Sequence, residues 1–193
     1  MLYLLEFLLY SYIIFLDLSH LDSTFFKYLS VLLFVFPAFK TSSHYAFPYI
    51  FIILADYFFL FTNHYLIAII LFIFVQICFQ YFLCHKILMV LLLPLIIIFL
   101  FINKSYHSLI ALSFFYYFLS FSNLLISFIH SLKNHSLFFL TFSLLCLLIC
   151  DTLIGINYIF IFSYEIRTLL YIMIWFFYLC FHFFYLYDMK NIE

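Results

Sequence analysis

From Leu2 to Tyr187 the chain is a succession of apolar runs broken by short polar clusters. Most of these runs approach the roughly 17–25 residues that a helix needs to cross the hydrocarbon of a bilayer. Run length and the polar residues at the ends predict eight membrane-spanning helices, at 2–16, 24–39, 45–61, 65–83, 87–102, 108–129, 136–154 and 168–187. Pro48 falls in the first turn expected for the third, where its missing donor is harmless, whereas Pro94 sits in mid-run in the fifth and predicts a kink. A longer link, 155–167, is expected before the last span. The fold class implied is all-α: a polytopic membrane bundle of about eight helices, forming a single domain over residues 1–193.

Composition agrees. Seventy per cent of the residues are hydrophobic, 8% are charged and the mean hydropathy is +1.31, outside the range of soluble domains. Thirty-three Phe and 18 Tyr beside a single Gly suggest an AT-rich gene, so aromatic abundance alone does not mark a binding surface. A net charge of −1, with no long basic run, gives no support for nucleic acid or an acidic partner. The five cysteines form no Cys-x-x-Cys pair; Cys146 and Cys150 lie one helical turn apart, which suits a metal but suits small apolar filler better. Neither a metal nor a cofactor is expected. The first run carries Glu6 in place of a basic start and is expected to stay in the membrane as a span. Eight spans put both termini on one side with Lys40, Lys86, Lys133 and Lys190, against Lys27, Lys104 and Arg167 on the other. The positive-inside rule then favours cytoplasmic termini, in the cell membrane.

Two carboxylates interrupt this hydrocarbon-soluble sequence. Asp56 lies in the third run and Asp151 in the seventh, and an ionisable group at membrane depth generally faces protein or water and serves a function. Counted back from the far ends of their runs, the two lie about 8 and 5 Å deep at ~1.5 Å per residue, so they share a level. At that level the neighbouring spans offer Ser113, Tyr116, Tyr171 and Trp175, with Lys27 at the rim. Ser113, Tyr116, Ser120, Asn123, Ser127 and His130 recur at spacings of three and four and mark one inward face. Gln76, Gln80 and His182 should lie deeper, either extending a polar channel or joining helices by hydrogen bonds. Each residue also has a plainer reading: Asp56 as a packing group bonded to a Tyr or Gln, Lys27 as a snorkelling interfacial cation, the serine stripe as helix glue. Two carboxylates in a partly dry site repel one another and divide into a proton donor and an anion. That division is what acid-catalysed cleavage requires.

Three stretches carry a family resemblance: Leu54-Ala-Asp-Tyr-Phe-Phe-Leu-Phe-Thr-Asn-His-Tyr65 with Phe72-Ile-Phe-Val-Gln76, then Leu148-Ile-Cys-Asp-Thr-Leu-Ile-Gly155, and Trp175-Phe-Phe-Tyr178. In these the chain resembles the lysoplasmalogenase-like YhhN family of multi-span membrane proteins, over most of its length from Phe26 onward. The resemblance implies hydrolysis of the vinyl ether bond of a lysophospholipid to a fatty aldehyde and a glycerophospho-alcohol, with Asp56 and Asp151 as the catalytic pair. It also implies Lys27, or Arg167, on the phosphate. Tyr28-Leu29 follows Lys27 where many members have Pro-Leu, and His182 stands where a glutamine is typical. The competing expectation is a non-enzymatic membrane protein that binds or transports a lipid or small amphiphile, with the aspartates as proton or cation sites. A third is a structural membrane subunit. Membrane lipids are the expected partners in every case.

Overall fold

The computed structural model of the protein describes residues 2–41, 43–62, 64–84, 107–133 and 137–192. These form seven helices and, among the described residues, no strand: α1 (Leu2–Leu18), α2 (Thr24–Thr41), α3 (Ser43–Phe61), α4 (Tyr65–Cys84), α5 (His107–Lys133), α6 (Phe138–Ile159) and α7 (Tyr164–Ile192). Four of them are long and apolar enough to cross a membrane, over Tyr65–Leu83, Leu109–Lys133, Phe138–Ile159 and Tyr164–Asp188. The protein is a membrane-embedded helical bundle.

The expected count of eight spans is not reached among the described residues. The run Ile87–Ile102, with Pro94, lies outside them. The apolar part of α3, Ala46–Phe61, is a shorter helix. α1 has 17 residues, and at ~1.5 Å per residue that reaches only about 26 Å. α2 has 18 residues and carries Lys27 and Lys40 as well as Pro37. Three boundaries also shift. α3 begins at Ser43, so Pro48 lies in its second turn and removes one helical donor there. α6 runs through Gly155 to Ile159 and α7 starts at Tyr164, leaving only residues 160–163 as the link expected to span 155–167. Flanking apolar residues carry a helix past a lone glycine at a cost of about 1 kcal/mol.

Consecutive helices pack as neighbours from α1 to α4 and from α5 to α7, α4 packs on α5, and α6 with α7 form the most extensive pair. α7 also returns to α1 and α2, which closes the bundle. The core so enclosed is apolar and aromatic, built on Phe34, Tyr49, Ile52, Phe79, Leu144, Leu147, Phe181 and Tyr185. Outward positions are just as apolar: Phe36 is 78% and Phe114 74% exposed, as lipid-facing side chains should be. Helices are joined by small polar contacts, such as the Ser143 hydroxyl of α6 donating to the Phe181 carbonyl of α7 at 2.9 Å.

The turn between α1 and α2 positions a buried ion pair. The Leu21 amide donates to the Leu16 carbonyl at 2.9 Å while His20 takes φ 61°, the left-handed position that usually ends a helix with glycine. Asp22 then receives the Thr24 amide at 2.9 Å and starts α2. Hydrogen bonds from the Thr24 hydroxyl and, next, from its amide hold the Asp22 carboxyl below its usual range. Folding back this tightly brings Asp17 of α1 beside Lys27 of α2.

Candidate functional site

Asp56 sits on the inner face of α3, 5% exposed, and the Tyr178 hydroxyl of α7 donates to its Oδ2 at 2.6 Å. Asp151 sits on α6, and the Tyr116 hydroxyl of α5 donates to its Oδ2 at 2.6 Å. Both distances are in the short range of hydroxyl bonds to carboxylates. The two carboxylates lie within electrostatic range of each other, and Cys150 lies within range of both. Four helices thus converge on one polar centre. The expected depth of Asp151 is corrected by the longer α6: it lies eight residues inside Ile159, about 12 Å, while Asp56 remains five inside Phe61, about 8 Å. The difference is less than a helical turn.

The rim of this centre is a row of cation and rings. Lys27 Nζ stands 3.0 Å from Asp17 Oδ2 and 3.1 Å from Oδ1, and the Ser23 hydroxyl also donates to Asp17. The same ammonium lies 5.7 Å from the centroids of both the Tyr171 and Trp175 rings, within cation–π range. Trp175 meets Tyr178 edge-on, with centroids 5.4 Å apart and planes at 83°. A continuous path of contacts therefore runs Asp17, Lys27, Trp175, Tyr178, Asp56. Lys27 and the Tyr171–Trp175 pair, predicted from two separate stretches of sequence, are brought together, with Tyr171 the outermost at 43% exposed.

Two expectations change here. Ser113 does not turn to the pair: its hydroxyl donates to the Leu109 carbonyl of its own helix at 2.8 Å, the usual fate of a serine in mid-helix. Lys27 is no free cation, since Asp17 already neutralises it. Further along the same stripe, Ser127 shares a hydrogen bond of 2.7 Å with Thr141 and Asn123 bonds to Gln76, so much of that inward face joins helices.

Tyr116, the partner of Asp151, is among the expected residues; the other partners are not. Tyr178 shares a helical face with Tyr171 and Trp175, a visible signal, but nothing in that spacing names Asp56. Asp17 reads in sequence as a turn residue. Glu6 is buried at 6% exposure and accepts the Ser30 hydroxyl at 2.8 Å, pinning α1 to α2. His182 lies fully buried between the Phe34 and Tyr49 rings, with centroids 5.1 and 5.5 Å away, its Nδ1 3.3 Å from the Tyr49 hydroxyl. Among the described residues no three of His, Cys, Asp or Glu are grouped to hold a metal ion.

Chemically, the centre offers two carboxyl groups within electrostatic range of each other, each held by a phenol, in a surround of aromatic and aliphatic side chains. Such a pair can donate a proton from one member and hold positive charge or a water with the other. No protein-family model matches the chain, and no curated protein or solved structure is significantly similar to it.

Proposed function

We propose that the protein is a membrane hydrolase that cleaves the vinyl ether bond of a lysophospholipid, as the resemblance to the YhhN family implies, with Asp56 and Asp151 as the reacting pair. The observation that carries this reading is a pair of tyrosine-held aspartates, from α3 and α6, within electrostatic range of each other. One of the pair, as the acid, gives its proton to the vinyl carbon remote from the ether oxygen, which turns the enol ether into an oxocarbenium ion. The other, as carboxylate, faces that positive charge and takes a proton from the attacking water. The resulting hemiacetal collapses to fatty aldehyde and glycerophospho-alcohol, and the pair ends with one proton, as it began. The acyl-like chain lies among the bundle's aromatic side chains, and the phosphate lies at the rim, where Lys27 exchanges Asp17 for it beside Tyr171 and Trp175. This reading includes eight crossings and cytoplasmic termini in the cell membrane. A reporter fused to the C-terminus reads that orientation.

Purified protein incubated with lysoplasmalogen, with lipids and aldehyde followed by mass spectrometry, tests the activity. Asp56→Asn and Asp151→Asn each keep an acceptor for the tyrosine but cannot share an acidic proton, so aldehyde release is expected to vanish while the folded protein persists. Undiminished release from either variant removes that residue from the chemistry.

One observation favours a second reading, a protein that binds or transports a lipid or amphiphile without turnover. Lys27 is already paired with Asp17, and each aspartate with a tyrosine, so the arrangement is closed on itself. Retention of intact lysoplasmalogen with no product supports this second reading.

A further inference from the structure

Polar groups that the aspartate pair does not use directly gather on the seam between α4 and α5. α4 presents Gln76 and Gln80 one turn apart, and α5 presents Tyr116, Ser120 and Asn123 at spacings of four and three. All five are more than nine-tenths buried. Asn123 Nδ2 donates to the backbone carbonyl of Gln76 at 2.8 Å and to its side-chain Oε1 at 2.9 Å. Tyr116, one turn before Ser120 on the same helix, donates its hydroxyl to Asp151. The seam is therefore continuous with the aspartate centre.

These bonds leave four buried atoms without a partner: Gln76 Nε2, Gln80 Oε1, Ser120 Oγ and Asn123 Oδ1. At membrane depth an unpaired polar atom is costly, and here four lie on two adjoining helix faces. Their chemistry selects the ligand. One is an amide donor, two are amide acceptors and one is a hydroxyl that does both, a mixture that suits neither a bare cation nor an anion. Water, which donates and accepts, satisfies all four.

We propose that the α4–α5 seam is a water-binding site, a short file of waters held by Gln76, Gln80, Ser120 and Asn123 that ends at Tyr116. Counted from the His107 end of α5, Tyr116 lies about 14 Å and Asn123 about 24 Å along the helix, so the file leads from the aspartate pair toward the opposite membrane face. Its use as the source of the hydrolytic water rests on the proposed vinyl ether hydrolysis; the site itself does not.

The test is X-ray radiolytic labelling of the full-length protein in lipid nanodiscs, in heavy-oxygen water, with mass spectrometry of the peptides. Bound water places heavy oxygen on the side chain beside it, so Tyr116 is expected to be labelled. Phe79 is the internal control: it is buried on α4 but faces Phe181 and Tyr185 of α7, and should stay unlabelled. Gln80→Met with Ser120→Ala should lower labelling at Tyr116 several-fold. Should that double variant not fold, Gln80→Met alone, which leaves the Asn123–Gln76 and Tyr116–Asp151 hydrogen bonds intact, is expected to show the same direction. Tyr116 labelled no more than Phe79, or labelled equally in wild type and variant, overturns the proposal. Lysoplasmalogen turnover measured in parallel separates the two ideas. Labelling without aldehyde release sinks the hydrolytic reading alone, and aldehyde release without labelling sinks the water site alone.

Discussion

Tyr116 and Tyr178 each spend their hydroxyl on a carboxyl group of another helix, and this makes them separable from the aspartates they hold. Tyr178→Phe keeps the ring against Trp175, Phe181 and His182 and removes only the donor to Asp56. A hydrogen bond contributes about 0.5–1.5 kcal/mol between neutral groups and about 1.5–3 kcal/mol when one is charged, so Tyr178→Phe and Tyr116→Phe should each lower stability in a denaturation series in detergent, the tyrosine on the carboxylate by more than the tyrosine on the acid. Asp56→Asn keeps an acceptor for the phenol and should cost less. A phenylalanine variant as stable as wild type means that the phenol is not holding the carboxyl group. Ser113 illustrates the opposite case, a residue that belongs to the right stripe and still bonds only to its own helix.

At the scale of elements, α6 contains a glycine with no structural need for it. A Cβ built on Gly155 meets nothing within 4 Å, and its backbone is helical. Gly155→Ala is therefore expected to stabilise α6 by about 0.5–1 kcal/mol, through the smaller loss of backbone freedom on folding. A lowered unfolding midpoint in that variant indicates a neighbour at this position that the packing does not include. The glycine also shows why sequence misplaces the α6 boundary: composition marks it as a breaker, yet helix-forming residues continue for four positions beyond it.

For the molecule as a whole, the decisive feature is that α7 returns to α1 and α2, because this closes the ring of helices and sets Lys27 between Asp17 and the α7 aromatics. Side chains of that ion pair are 10% and 11% exposed. Lys27→Met leaves Asp17 buried with only Ser23 beside it, and losing one partner of a buried pair typically costs about 3–5 kcal/mol. The double change Lys27→Met with Asp17→Leu removes both charges and should recover most of that loss. Equal destabilisation of single and double variants, measured by thermal unfolding, contradicts the pairing as the source of the effect.

Apolar run length and local composition determined that the chain is helical and membrane-embedded, where most helices lie, and that Asp56 and Asp151 are out of place in hydrocarbon. These are local properties, legible because backbone hydrogen bonds in lipid must close within each segment. Depth is also largely legible, since rise per residue is fixed; it fails only where Gly155 hides the end of α6. What the tertiary structure decided is pairing. That Asp56 meets a tyrosine on α7 and Asp151 one on α5, that Asp17 claims Lys27, and that Ser113 turns away all depend on the rotation of each helix about its axis. Most faces here are apolar, so hydrophobic pattern alone does not fix that rotation; it is set by packing between helices distant in the chain.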